Sequence, residues 1–140
     1  MVDLARIATL LQRIRIEREH LVRAGKRSDE ELLTDPDALP AAKYRMIVCF
    51  ESAIGAADHV IASEGLRTAT SFVDSFRILG EAGVISLELS TTLQDAARFR
   101  NLLVHQFGDV DDHRVIEMVR TGLTSLDSFV QSLASYLSAR

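Results

Sequence analysis

Arg100-Asn101-Leu102-Leu103-Val104-His105 places a permanent cation, an amide and an imidazole within six residues of otherwise packing character. At 3.6 residues per turn, Asn101 and His105 share one helix face about one turn apart. Arg100 stands about 140° around the axis from His105, yet its long stem can swing the guanidinium toward the same rim. The hexapeptide holds no carboxylate. Arginine forks onto phosphate oxygens and imidazole moves protons near neutral pH, so the group suits a phosphodiester better than a metal ion or an acyl group.

The elements that must position this segment read as helices. Leu4, Ile7, Leu10, Leu11, Ile14 and Leu21 recur at three- and four-residue steps and predict an amphipathic helix over about 3–23, broken at Gly25. Ser28 to Glu31 reads as a capping box opening a short turn of helix that ends near Thr34. Pro36 and Pro40 mark a loop or a helix start. A long second helix is expected over about 41–63, ended by Gly65, and a shorter one over 69–80, stopped by Gly80 and Gly83. Ser86 can cap a long helix through about 106, which carries the Arg–His segment. Gly108 and the acidic Asp109-Val110-Asp111-Asp112 then turn the chain into a last helix over about 111–138. The expected fold is all-α, an up-and-down bundle of four long helices plus one or two short ones, in a single domain over residues 1–140.

Charge and composition narrow the function classes. The formal net charge is −4, whereas a protein that grips nucleic acid over a broad surface is usually basic, so any RNA contact must be local. One cysteine excludes an internal disulfide framework and a multi-Cys zinc site; flanked by Val48 and Phe50, Cys49 reads as a buried thiol. No apolar run approaches the roughly 20 residues of a membrane span, and the N-terminus lacks a signal-peptide layout, so a cytoplasmic protein that engages no membrane is expected.

Other polar residues carry two readings each. Arg98, Arg114 and Arg120 could contact phosphates near a cleft, or form a solvated face with Asp95, Asp109 and Glu117. Glu51 and Asp58, seven apart on the second helix, could line a cleft or bind arginine. His59 has no second ligand at metal spacing, so no metal site is expected. Gly25 to Ser28 lacks the upstream glycine and the preceding strand of a phosphate loop, and no Gly-x-Ser-x-Gly elbow occurs.

Tyr44-Arg45-Met46, Glu51 through Ile61, Ser75 through Val84 and above all Phe99 through His105, followed by the acidic Gly108–Asp112 segment, carry a family resemblance. Over nearly its whole length the chain resembles the HEPN superfamily, and within it the HepT-like ribonuclease toxins encoded beside a minimal nucleotidyltransferase antitoxin. The resemblance implies a metal-independent, cofactor-free endoribonuclease of a type VII-like toxin–antitoxin pair. It also implies a homodimer whose paired Arg-x4-His motifs face each other across an interface cleft. Arg100 and His105 would be the catalytic pair, with Asn101 supporting them by orienting the imidazole or the helix end. His105 would exchange protons with the ribose 2′-hydroxyl or the leaving 5′-oxygen, and Arg100 would stabilise phosphoryl charge. Such a mechanism acts on RNA and not on DNA.

One departure stands beside the motif. HepT-like chains commonly continue His-x-Tyr, the tyrosine to which the partner attaches adenylate, whereas here the run is His105-Gln106-Phe107. Phenylalanine has no hydroxyl to modify, so a nucleotidyltransferase partner is expected to inhibit by occlusion. Phe107 is itself a candidate for RNA contact or for lining the cleft, with Arg98, Glu51 and Asp58. Tyr44 and Tyr136 are the chain's two tyrosines, and nothing in the sequence sets either beside His105. The alternative reading is a non-catalytic HEPN module that binds a nucleotidyltransferase and presents nucleotide or substrate to it.

Overall fold

Short polar side chains placed just ahead of apolar repeats start most of the helices, because the first amides of a helix have no partner inside it. In the computed structural model, which describes residues 2–139, these are α1 (Leu4–Gly25), α2 (Asp29–Thr34), α3 (Ala38–Ser63), α4 (Phe72–Glu81), α5 (Leu87–His105), α6 (Asp112–Thr121) and α7 (Thr124–Ser138), with no strand among the described residues. Asp3 accepts from the Arg6 amide, Ser71 from Asp74 and Ser86 from Leu89, each at 3.0–3.1 Å. Ser28 accepts from the Glu31 amide at 3.1 Å while Glu31 reaches back to Ser28, which completes the expected capping box.

The all-α bundle is built around α3. Its buried residues, among them Met46, Phe50, Ala53, Ala57 and Val60, spread over more than one face, as suits a helix that packs on α1, α4, α5 and α6. By its length of 26 residues and the mean hydropathy of 1.3 over an 18-residue window, α3 could cross a membrane, a feature the sequence expectation did not include. Its apolar surface is spent on the bundle instead, with 56% of the stretch buried against its neighbours. Phe76 of α4 meets Phe129 of α7 edge to face at 5.8 Å, joining the far side of the core.

Three boundaries differ from expectation. Helix α3 begins at Ala38 and takes Pro40 into its first turn, where no backbone N–H is needed. Gly80 does not stop α4 but lies inside it: a Cβ there would stand 2.7 Å from the Ser90 Cβ and Oγ, so the missing side chain lets α4 close on α5. Gly83, at φ +75°, makes the turn that follows. The last helix is two helices, with the Gly122 amide closing α6 onto the Met118 carbonyl at 2.8 Å. The break redirects the chain, since α6 packs on α1 and α3 and α7 on α5 and α3.

The link from α3 to α4 is held by Asp74, whose side chain is 3% exposed. It accepts from two Arg67 nitrogens at 2.8 and 2.9 Å, from the Thr70 amide at 3.0 Å and from Arg77 at 3.1 Å. The Arg67 and Thr70 hydrogen bonds hold the Asp74 carboxyl well below the usual carboxylate range. A carboxyl depressed in the fold stabilises above its unfolded pKa of about 4, and that stabilisation is lost as pH falls toward the lower folded value. Asp74→Asn should lower unfolding free energy by about 2 kcal/mol at pH 7, between the values for exposed and buried pairs. In urea titrations the gap to the parent chain should narrow as pH falls below about 4.

Candidate active site

Helix α5 ends at His105 because Gln106 leaves helical geometry (φ −130°, ψ 37°) while its amide still closes on the Leu102 carbonyl at 2.9 Å. One side of α5, carrying Leu93, Ala96, Phe99 and Leu103, is buried in the bundle. Arg100 lies at the edge of that side, with its side chain only 13% exposed. Its guanidinium bonds the Glu51 carboxylate of α3 and donates to the Asn101 amide oxygen at 3.0 Å. The Phe72 ring of α4 lies 4.8 Å away, at stacking distance. Arg100 Nε is buried with no acceptor among the described residues. Three helices therefore fix one guanidinium plane.

His105 is the opposite kind of group. It is exposed, and among the described residues its ring makes no hydrogen bond or ion pair. No hydrogen bond joins it to Arg100, whose guanidinium turns to Glu51 of α3 and to the Phe72 ring of α4. Asn101 serves the arginine and not the imidazole, because its carbonyl oxygen accepts the only hydrogen bond formed inside the hexapeptide's side chains.

Lys43 is a neighbour of the segment that the sequence did not announce. It is 6% exposed, its ammonium donates to the Phe107 carbonyl at 2.6 Å, and it stands 5.0 Å from the Phe107 ring centroid. The contact spans 64 residues, so no local signal could announce it. It ties the loop after His105 to α3. The Phe107 ring keeps 38% exposure at the rim of the site.

The remaining candidates separate. Glu51 reaches Arg100, but Asp58 accepts from Ser75 at 2.6 Å and joins α3 to α4. Arg98 pairs with Asp95 at 2.8 Å on an exposed face. Arg114 lies over the Phe99 ring at 5.4 Å and not on Asp109. Arg120 donates to the Gly25 and Arg27 carbonyls and pairs with Asp29 of α2, not with Glu117. The His59 ring accepts from the Asp3 amide at 2.9 Å. No group of three or more His, Cys, Asp or Glu converges as a ligand set among the described residues. Burial pushes the Cys49 thiol up to about 12, so it is inert as read. A groove of about 1190 Å³ lies at the other end of α5, lined by hydroxyls such as Ser86, Thr92, Ser128 and Ser132. It holds no nucleophile–base pair.

The family described as ribonuclease HepT-like matches residues 6–133. A tRNA nuclease HepT of Aphanizomenon flos-aquae is 24% identical over 133 residues, covering 94% of this chain and 89% of that one. An mRNA nuclease HepT of Shewanella oneidensis is 28% identical over 82 residues, 59% of this chain and 62% of its own. Among solved structures, the tri-AMPylated HEPN toxin of Shewanella oneidensis in complex with its MNT antitoxin superposes with a TM-score of 0.86 at 20% identity, covering 93% of this chain and 97% of that one. That likeness bears on the fold.

The Lys43 clasp generates its own test. Lys43→Met leaves the Phe107 carbonyl without its donor, and should cost about 1 kcal/mol of stability. In hydrogen–deuterium exchange, peptides spanning 106–110 should exchange faster than in the parent while those of α1 stay protected. Unchanged protection at 106–110 would show that the clasp does not hold the loop.

Proposed function

The chain belongs to the HepT-like ribonuclease family, and from that membership and the Arg100–His105 geometry we propose that it is an endoribonuclease toxin of a type VII-like toxin–antitoxin pair. The observation that carries this reading is the pairing, on one helix end, of an arginine held rigid on three sides with a histidine left free. A group that stabilises charge gains from preorganisation, whereas one that shuttles protons must reach its substrate.

In the proposed reaction His105 takes the proton of a ribose 2′-hydroxyl, and the 2′-oxygen attacks the adjacent phosphorus. The bond to the 5′-oxygen breaks and that oxygen receives a proton returned by the His105 imidazolium, so the step consumes and releases none. The ends formed are a 2′,3′-cyclic phosphate and a 5′-hydroxyl. Arg100 offsets the charge growing on the phosphoryl oxygens, and Glu51 and Asn101 keep its plane fixed. No step requires a metal ion.

Two copies acting together fit the surface around the site, where Phe72 and Val104 are 40% and 41% exposed next to Arg100. We place the protein in the cytoplasm, as a homodimer whose partner is a minimal nucleotidyltransferase antitoxin, in keeping with the complex seen for the Shewanella neighbour. Phe107 offers that partner no hydroxyl, so neutralisation proceeds by covering the site. A second reading, a non-catalytic module presenting nucleotide or substrate to the transferase, draws on Phe107 and on the net charge of −4.

Purified protein should degrade RNA in excess chelator. His105→Ala should lower the rate by about 10²- to 10⁴-fold, and Arg100→Ala by about 10²-fold or more. Chelator-resistant cleavage that survives His105→Ala would place the chemistry elsewhere. Intact RNA under all conditions would favour the non-catalytic module.

A further inference from the structure

Helices α3 and α5 lie antiparallel at the site. Arg100 meets Glu51, and seven residues later Phe107 meets Lys43, eight residues earlier on α3. Tyr44 follows Lys43 and shares the stripe of α3 that carries Glu51, two turns or about 10 Å along the axis. It thus stands level with the residues just beyond His105. Of the eight large apolar side chains exposed among the described residues, four — Tyr44, Phe72, Val104 and Phe107 — lie on α3, α4, α5 and the loop after it, the elements that build the site, and Tyr44 is exposed to 64%. Tyr136, by contrast, is half-buried and hydrogen-bonded to Glu64.

We propose that Tyr44 and Phe107 form a stacking subsite for an unpaired base of the RNA whose scissile phosphate lies on Arg100. This rests on the ribonuclease reading above and adds to it what the enzyme holds besides phosphate. Charge supplies the reason. A chain of net charge −4, whose site arginine is already neutralised by Glu51, draws little affinity from the phosphate backbone. Affinity must come from contacts that salt does not weaken, and base–aromatic stacking is such a contact. Every base has a π-face, so the subsite accepts single-stranded RNA without demanding one sequence. The two helix turns from Glu51, which holds Arg100, to Tyr44 rise about 10 Å, a length that an extended single strand crosses in one or two nucleotides. The Lys43 clasp already orders the loop that carries Phe107, so little ordering remains when a base arrives.

The test uses the dimeric full chain carrying His105→Ala, so that RNA binds without being cut. Its affinity for a ten-nucleotide single-stranded RNA bearing 2-aminopurine is measured by anisotropy in chelator. Tyr44→Ala should weaken binding by about tenfold and abolish the quenching of 2-aminopurine, with the salt slope unchanged. Tyr44→Phe should bind like the parent. Unchanged affinity in Tyr44→Ala overturns the subsite and leaves the ribonuclease reading standing. Equal losses in the Ala and Phe variants overturn it in favour of the hydroxyl. A loss accompanied by conversion of dimer to monomer in sedimentation overturns it in favour of a seam between copies. No binding by the His105→Ala parent overturns both this inference and the ribonuclease reading.

Discussion

The antiparallel register of α5 on α3 is the constraint on which the site depends. Two polar clasps of different chemistry set it: a charge pair with a stacked ring at Arg100, and a buried ammonium on a backbone carbonyl at Phe107. Between them the helices meet through apolar surface, which resists separation but tolerates sliding. Hydrogen bonds do not tolerate it, because a slip of one residue leaves a buried donor without an acceptor. The clasps therefore fix where α5 ends, and with it where His105 emerges.

The same arrangement explains how a nearly buried guanidinium persists. Removing it from water is costly unless charge and hydrogen bonds answer it. Glu51 and Asn101 bond two of its nitrogens and Phe72 covers one face. An incoming phosphate must share or displace the Glu51 carboxylate, so the carboxylate that holds the arginine in place also limits what can bind there. Stacking at Tyr44 and Phe107 relieves that limit, since it contributes affinity without asking more of the arginine.

Local chemistry made most of the fold legible. Caps at Ser28 and Ser86 and apolar repeats in α1, α3 and α5 act within one or two turns, and sequence displays them directly. What it concealed depends on distant partners. Gly80 looked like a helix stop because its purpose, room for Ser90, belongs to another helix. The apolar stripe runs unbroken through Val119, Leu123 and Leu126, so the break at Gly122 left no trace in periodicity. At the site, Arg100, His105 and Phe107 were visible as types and Glu51 as a candidate arginine partner. Asn101 was visible as a support for the pair, though not its bond to Arg100, and Lys43 had no signal at all, since its partner lies 64 residues away.

In the proposed reaction the 2′-oxygen of the substrate is the nucleophile, activated by His105 and relieved of charge by Arg100. End-group analysis of the cleaved RNA tests it most directly, with a matched oligonucleotide carrying one 2′-deoxy sugar at the cut site. Attack by the 2′-oxygen leaves 2′,3′-cyclic phosphate and 5′-hydroxyl ends, and gives no cut at the deoxy position. Products with 5′-phosphate and 3′-hydroxyl ends, or cleavage at the deoxy sugar, would contradict it.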